Sequence, residues 1–361
     1  MFRAGKDRLF KGTIQGALQR RVLSSAAFER CSLGGSPPRV RGLKAFRDES
    51  ILGCKDSVEL AMDMDFEGSE VDISLRLTPG LSVGVSRFSM RGTFCVVLRN
   101  FVPSAPLISG FAFFFMNRPK ISVAWSGVLH ALPVRLDAVQ EIIETQFAAH
   151  IVLPNRIAVP LVSSLPYYAL MYPPPDGVLE VEVGEALHVG GSEVALSSNV
   201  LGKLLAGGAD RVRTVYGEFK VGTQDWTLER RELGCERVSW GQAHAFVVDK
   251  VHGQRLLFEL WGTGGKAHQQ RRLLATLELS AASLVNSSRR AIHMQEWPLA
   301  VAAGVSLDNP SLTMKATFRC FVPLLLCQHA QRVCGLLPGA PPGQRGQRRA
   351  ARHAGQGGAA P

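Results

Sequence analysis

The sequence predicts an α+β domain built on an antiparallel sheet, followed by an all-β sandwich. Three observations carry that reading. From about Ser57 apolar residues recur at every second position over long runs. Two stretches of helical period flank those runs. A proline-rich joint, Tyr172-Pro173-Pro174-Pro175-Asp176, then separates them from a second series of shorter alternating segments.

The elements follow in chain order. Leu9, Ile14, Leu18 and Val22 lie at helical spacing and predict an amphipathic helix over 8–28. In 57–68 Val58, Leu60, Met62, Met64 and Phe66 alternate with Glu59, Ala61, Asp63 and Asp65, and a second run over 71–77 does the same. Glu67-Gly68-Ser69-Glu70 between them reads as a hairpin turn. A third run, 88–98, places Phe88, Met90, Phe94, Val96 and Leu98 opposite Ser89, Arg91, Thr93 and Cys95. The predicted sheet has one wet and one apolar face. Gly110–Met116 is apolar on both sides, Ile121, Val123 and Trp125 alternate in the next run, and 137–149 predicts a helix. Beyond the joint, alternating segments begin at Gly177, Thr214, Ala243, Arg255, Arg272 and Leu312, predicting a sandwich of about eight strands. The expected boundaries are 1–172 for the first domain, 173–176 for a linker, 177–323 for the sandwich and 324–361 for a disordered basic tail.

Composition narrows the function classes. The chain has 361 residues, 46% of them apolar and 20% charged, enough to bury two cores. Its net charge of +11 is concentrated at the two ends, with +9 in residues 1–47 and +5 in 324–361. The body is therefore close to neutral, and nucleic acid is not an expected partner. Seven cysteines without paired spacing fit a reduced compartment. The uncharged apolar stretch Asn100–Asn117 is divided by Pro103 and Pro106 and is too short an apolar run to cross a bilayer. The Arg-rich start admits a transit-peptide reading beside the helical one.

The apolar strand face leaves two readings open. Long Met and large Phe side chains occupy positions where Val and Ile are common, so helices and gap-filling Met could close an ordinary core. The alternative is a partly filled trough that accepts apolar guests. Arg118-Pro119 followed by Trp125-Ser126-Gly127, Leu153-Pro154-Asn155-Arg156 with Val159-Pro160, and the junction Pro175-Asp176-Gly177-Val178-Leu179 resemble the synaptotagmin-like mitochondrial lipid-binding (SMP) domain of extended synaptotagmins and tricalbins. Residues 37–46 and 66–75 match earlier parts of that pattern, and 9–21 matches its opening helix, which favours the helical reading of the start.

The resemblance implies an elongated half-barrel of the TULIP kind, working as a homodimer, whose groove holds the acyl chains of glycerophospholipids. The bound phospholipid is cargo, and no cofactor is implied. The expected groove residues are Leu60, Met62, Met64, Phe66, Phe88, Met90, Phe94, Phe113, Phe115 and Trp125. It also implies function at endoplasmic reticulum contact sites, on the cytosolic face. The family carries an N-terminal membrane hairpin, and Met1 falls inside that region, so a truncated sequence or a soluble relative is expected.

Residues 177–323 resemble a C2 domain through Ser239-Trp240, His252–Leu260 and Gln295-Glu296-Trp297. Such domains hold Ca²⁺ with carboxylates from two loops. Here the first loop offers Glu193 and Asp210, while Trp261–His268 offers none and carries Lys266. Calcium-independent behaviour is expected, with Lys220, Arg230 and Arg231 as candidate contacts to an anionic membrane surface. Leu260 and Ala267 break a phosphate-loop pattern around Gly262–Lys266. Cys320, Cys327, His329 and Cys334 have no known zinc spacing, so no metal site is assigned. With no nucleophile or metalloprotease motif, a non-enzymatic lipid carrier is expected. A tether or scaffold with a collapsed groove is the alternative.

Overall fold

The computed structural model describes residues 27–32, 34–47, 57–68, 71–78, 81–126, 136–163, 167–190, 212–234, 236–264, 271–288 and 293–321. The predicted helix over 8–28 lies outside them except for its last two residues. Ala27 and Phe28 there begin strand β1 (Ala27–Ser32).

The first sheet also contains β2 (Arg39–Arg47), β3 (Val58–Gly68), β4 (Asp72–Thr78), β5 (Leu81–Phe101), β6 (Ile108–Phe115), β7 (Lys120–Ser126) and β8 (Ile157–Pro160). Its register reduces these eight strands to a few long lines. β5 runs 21 residues, about 70 Å at ~3.3 Å per residue. Along one edge it pairs first with β3, from Val58↔Leu98 to Gly68↔Phe88, and then with β4, from Ile73↔Val85 to Thr78↔Leu81. Along the other edge it pairs with β6 and then β7. β2 and β1 extend the β3 and β4 line in the same end-to-end manner.

This arrangement corrects the expected hairpin at Glu67–Glu70. β3 and β4 continue in one direction, and the chain reverses between Thr78 and Leu81, which pair with each other. Turn-forming residues alone do not distinguish a reversal from an interruption, because both leave the ladder locally unpaired. Helix α1 (Leu136–Ile151) covers the predicted 137–149, and a short helix α2 (Tyr167–Met171) follows β8. No described helix is long and apolar enough to cross a membrane.

The second part is a sandwich of two antiparallel sheets. One follows the order β11 (Gln224–Thr227), β10 (Thr214–Val221), β14 (Arg255–Thr263), β15 (Arg271–Ser280), β17 (Ala300–Val301), with β12 (Arg231–Glu232) also on β10. The other runs β13 (Arg237–Val248), β9 (Gly177–Leu187), β18 (Ser311–Cys320), β16 (Gln295–Pro298). Inward residues of both sheets, among them Leu179, Val181, Val183, Phe219, Phe246, Phe258, Leu260 and Met314, form one core. The short β11, β12, β16 and β17, with helix α3 (Ala281–Ser288), are additions to the predicted strands, too brief to show a period.

The sandwich docks on the outer face of the first sheet. Glu59 of β3 is buried to 1% exposure beneath the β13–β14 turn, where His252 Nε2 lies 3.1 Å and Lys250 Nζ 3.4 Å from its carboxylate. The His252 ring meets Phe46 in a tilted contact, centroids 4.6 Å apart. Beside it Asn117 Nδ2 donates to Gly253 O at 2.9 Å, and Arg255 N donates to Asn117 Oδ1 at 2.8 Å. Arg118 donates to the backbone oxygens of Gly222 and Thr223 and pairs with Asp225 at 2.7 and 2.9 Å. Two glycines permit this closeness: a Cβ on Gly253 would meet Met116 at 2.7 Å, and one on Gly222, at φ +57°, would run into Leu153 O. The predicted wet face is thus only half wet. Cys95, Val97, Phe114 and Met116 are sealed beneath the sandwich, and Asp63 and Asp65 lie beyond it with Thr93, Arg91 and Arg41.

Candidate functional site: the inner face of the first sheet

The pairing register decides which side chains share a face, because directly opposed residues point the same way. Leu60 opposes Val96, Met62 opposes Phe94, and Phe66 opposes Met90. Phe94 opposes Phe115 and Val96 opposes Phe113 on the next line, while Phe88 opposes Val123 and Met90 opposes Ile121. Met64 faces Gly92, and Trp125 follows Val123 by alternation. All ten expected groove residues therefore lie on one face of one sheet.

Their burial is uneven. Phe115 is sealed at 2% and Phe66 at 9% exposure, as members of a core. Leu60, Met62, Met64, Phe88, Met90, Phe94, Phe113 and Trp125 are only half-buried. The aromatic rings still make contact: Phe94 meets Phe115 at 5.3 Å and Phe113 at 5.9 Å, and Phe66 meets Phe88 at 6.1 Å. Helix α1 covers one part of this face. Its Phe147 reaches Phe115 at 5.4 Å, its Ala148 and Ile151 are buried there, and Gln140 Nε2 donates to Ile121 O at 3.2 Å. No charged side chain occupies the register between Leu60 and Phe66 or between Phe111 and Phe115 on this side.

The geometry adds residues the sequence reading did not select. Phe111 stacks on Phe113 at 6.4 Å and opposes Leu98, so it continues the same floor. The run Gly110–Met116 is apolar at every position, which hides its parity. The signal was the strand partner, since the alternation of β5 fixes which β6 residues face inward. Phe147 and Ile151 were hidden differently, because α1 has an apolar character too diffuse to point at one stripe.

The candidate membrane contacts of the sandwich separate. Lys220 is largely covered, 2.7 Å from Glu259 and 3.4 Å from Glu218. Burial would lower its pKa, but the Glu259 carboxylate overcomes that and raises it. Its charge is spent within the fold, which removes it from the expected anionic-lipid set. Arg230 is exposed over the Tyr216 ring at 5.2 Å, and Arg231 is exposed beside Glu229 at 2.9 Å. On the same sheet Arg271 bridges Glu218 and Glu141 of α1. Glu193, Asp210, Lys266, Ala267 and His268, on which the calcium and phosphate-loop readings rest, lie outside the described residues, as do Cys327, His329 and Cys334. Among the described residues no His, Cys, Asp and Glu cluster suits a metal ion.

Residues 4–162 match the family described as the Synaptotagmin-like mitochondrial-lipid-binding domain. Extended synaptotagmin-3 of Xenopus tropicalis is 28% identical over 241 residues, covering 66% of this chain and 26% of the relative. Extended synaptotagmin-2 of Homo sapiens is 29% identical over 262 residues, covering 71% and 27%. The chain thus spans little more than a quarter of the length of these relatives. A solved structure of extended synaptotagmin 2, holding its SMP domain and two C2 domains, superposes with a TM-score of 0.53 at 22% identity, over 87% of this chain and 62% of that one. The fold is accordingly an SMP half-barrel followed by a C2 sandwich.

Proposed function

Because this is an extended-synaptotagmin-like chain with a lipid-binding domain over residues 4–162, we propose that it binds glycerophospholipids on the inner face of its first sheet and carries them between membranes. The observation that carries the reading is a continuous apolar face left half open by its own helix. Two acyl chains have about 30 methylenes, and exposing them to water costs about 0.8 kcal/mol each. A floor of Met and Phe removes most of that cost while leaving polar head groups in solvent. Flexible, polarizable Met accommodates chains of differing length and unsaturation better than a rigid aliphatic surface does.

Transfer of this kind makes and breaks no covalent bond, so the chain is proposed to act without catalysis and without a cofactor. The site of action is proposed to be a membrane contact of the endoplasmic reticulum, with two copies joined through their SMP domains. Arg230 and Arg231 are proposed to give the C2 sandwich a weak, calcium-independent attraction to anionic lipid, about 1 kcal/mol for each basic side chain near such a surface.

Native mass spectrometry of the purified chain is expected to show co-purified phospholipid. In a fluorescent-lipid assay between liposomes, Met64→Arg and Phe94→Arg are each expected to abolish transfer while circular dichroism stays native. A chain that carries no lipid, with both variants folded and indistinguishable from the parent, would sink the proposal in favour of a tether.

A further inference from the structure

The far end of the β5–β6 pair presents apolar side chains to solvent. Leu107 is 61% and Phe101 48% exposed, and Leu161, whose amide donates to Ser109 O at 2.9 Å, is 42% exposed. Leu107 is displayed by a closed turn: Val102 N donates to Leu107 O at 3.0 Å, and Leu107 N donates to Ser104 O at 2.8 Å. Its φ of 69° is a left-handed conformation that disfavours a branched apolar residue, and a fold retains such a residue where its surroundings over-determine it. Tyr168 and Tyr167, 70% and 52% exposed, open helix α2, whose Leu170 packs on Ala112 of β6 and Ala158 of β8. Tyrosine has an apolar body and a polar tip, the character that settles at a membrane–water boundary.

Two further facts select the partner. The whole segment from Asn100 to Asn117 carries no charged side chain. The apolar inner face reaches this end as well, since Leu98 and Phe111 lie just inside the last pair, Phe101↔Ile108. The docked sandwich touches the chain just past the opposite end of β6, at Asn117 and Arg118, about 33 Å from Leu107 at ~3.3 Å per residue. We propose that the Leu107 tip inserts into the head-group layer of a zwitterionic phospholipid bilayer and sets the open end of the groove against it. The inference rests on the lipid-carrier reading for its purpose but not for its test. Because the inserting segment itself carries no charged side chain, this docking is expected to be insensitive to ionic strength, unlike the attraction proposed for Arg230 and Arg231.

The test uses the full chain and phosphatidylcholine vesicles. Leu107→Trp is expected to gain emission, over the parent, that phosphatidylcholine with brominated acyl chains quenches equally at low and high salt. Leu107→Glu is expected to reduce co-flotation with these vesicles about tenfold, the loss of one buried leucine. Val301→Glu, an exposed apolar site on edge strand β17 of the sandwich, is expected to leave flotation unchanged. Absence of quenching, or full flotation by Leu107→Glu, overturns the proposal. So does a Leu107→Glu chain that changes from dimer to monomer and still floats, which makes the tip a subunit interface. Co-purified phospholipid is read separately: if the parent carries none, the groove reading fails while the quenching still decides the tip.

Discussion

Neighbouring residues of β5 meet opposite fates on the two faces of the first sheet. Cys95 and Val97 point outward and are sealed at 0% and 1% exposure, while Phe94 and Val96 point inward and remain half-buried. Phe94 is larger and greasier than Cys95 yet more accessible, and two identical valines differ only in the face they occupy. On β3 the same inversion holds, since Glu59 is buried and Met62 is half open. Burial on a sheet is therefore set by what lies across from each face. The outer face has a folded domain fixed to it by Glu59, Asn117 and Arg118, whereas the inner face has one helix across part of its length. A face with a permanent partner loses stability when cut, and a face with a transient partner loses function.

Substitution at the outer junction is expected to cost the most. Burial alone would raise the Glu59 pKa, but the His252 hydrogen bond and the Lys250 charge overcome that and hold it at about 2. Glu59→Ala leaves both bases beneath the sandwich without their carboxylate, and breaking such a buried pair from one side costs about 3–5 kcal/mol. Urea denaturation is expected to show that loss. A midpoint equal to the parent's would mean that the sandwich is not held on this face.

A matched pair of truncations separates the two faces. Phe114→Ala empties a site of 0% exposure under the sandwich and is expected to cost about 3 kcal/mol or more. Phe94→Ala on the inner face is expected to cost distinctly less in delipidated protein, because the half-buried ring loses fewer contacts. Added phosphatidylcholine is expected to raise the melting temperature of the parent more than that of Phe94→Ala, since a ligand stabilises only the state that binds it. Equal stabilisation by lipid would place the cargo elsewhere.

Much of this contrast was legible beforehand, for reasons the residues make plain. Alternation from Val58 to Phe66 and from Phe88 to Leu98 fixed the inner face, because a period of two survives without knowledge of partners. The residues carrying the family resemblance were visible but their work was not. Arg118 and Leu153 proved to be contacts to the sandwich, Arg118 through Gly222, Thr223 and Asp225, and Leu153 through the amide of Thr223 at 3.1 Å. Long-range docking leaves no periodic trace, so Glu59 read as a wet-face carboxylate. Lys220 failed for the same reason, because its partner Glu259 lies 39 positions away. The end-to-end continuity of β3 with β4 was likewise hidden, since it is defined by β5 and not by either strand.

Acid probes the junction from another side. A carboxylate depressed from 4.5 to about 2 contributes stability that is complete above pH 4.5 and is lost as pH falls through about 2. That window corresponds to about 3 kcal/mol at 1.36 kcal/mol per pH unit. Between pH 5 and pH 2.5 the parent is expected to lose urea resistance more steeply than Glu59→Gln, whose side chain does not titrate. Parallel slopes would show that the junction carboxylate is already neutral.

The uncovered end of the same outer face is expected to respond least. Asp65 accepts hydrogen bonds from Arg91 and Arg41, whose side chains are 64% and 63% exposed. Water solvates both guanidinium groups when the carboxylate is gone, so the ion pairs gain little over hydration. Asp65→Asn is therefore expected to leave the urea midpoint within experimental scatter at neutral pH, although Asp65 and Glu59 are carboxylates on the same side of one strand. A loss comparable to that of Glu59→Ala would mean that this end is also covered, and that the outer face accepts a second partner beyond the sandwich.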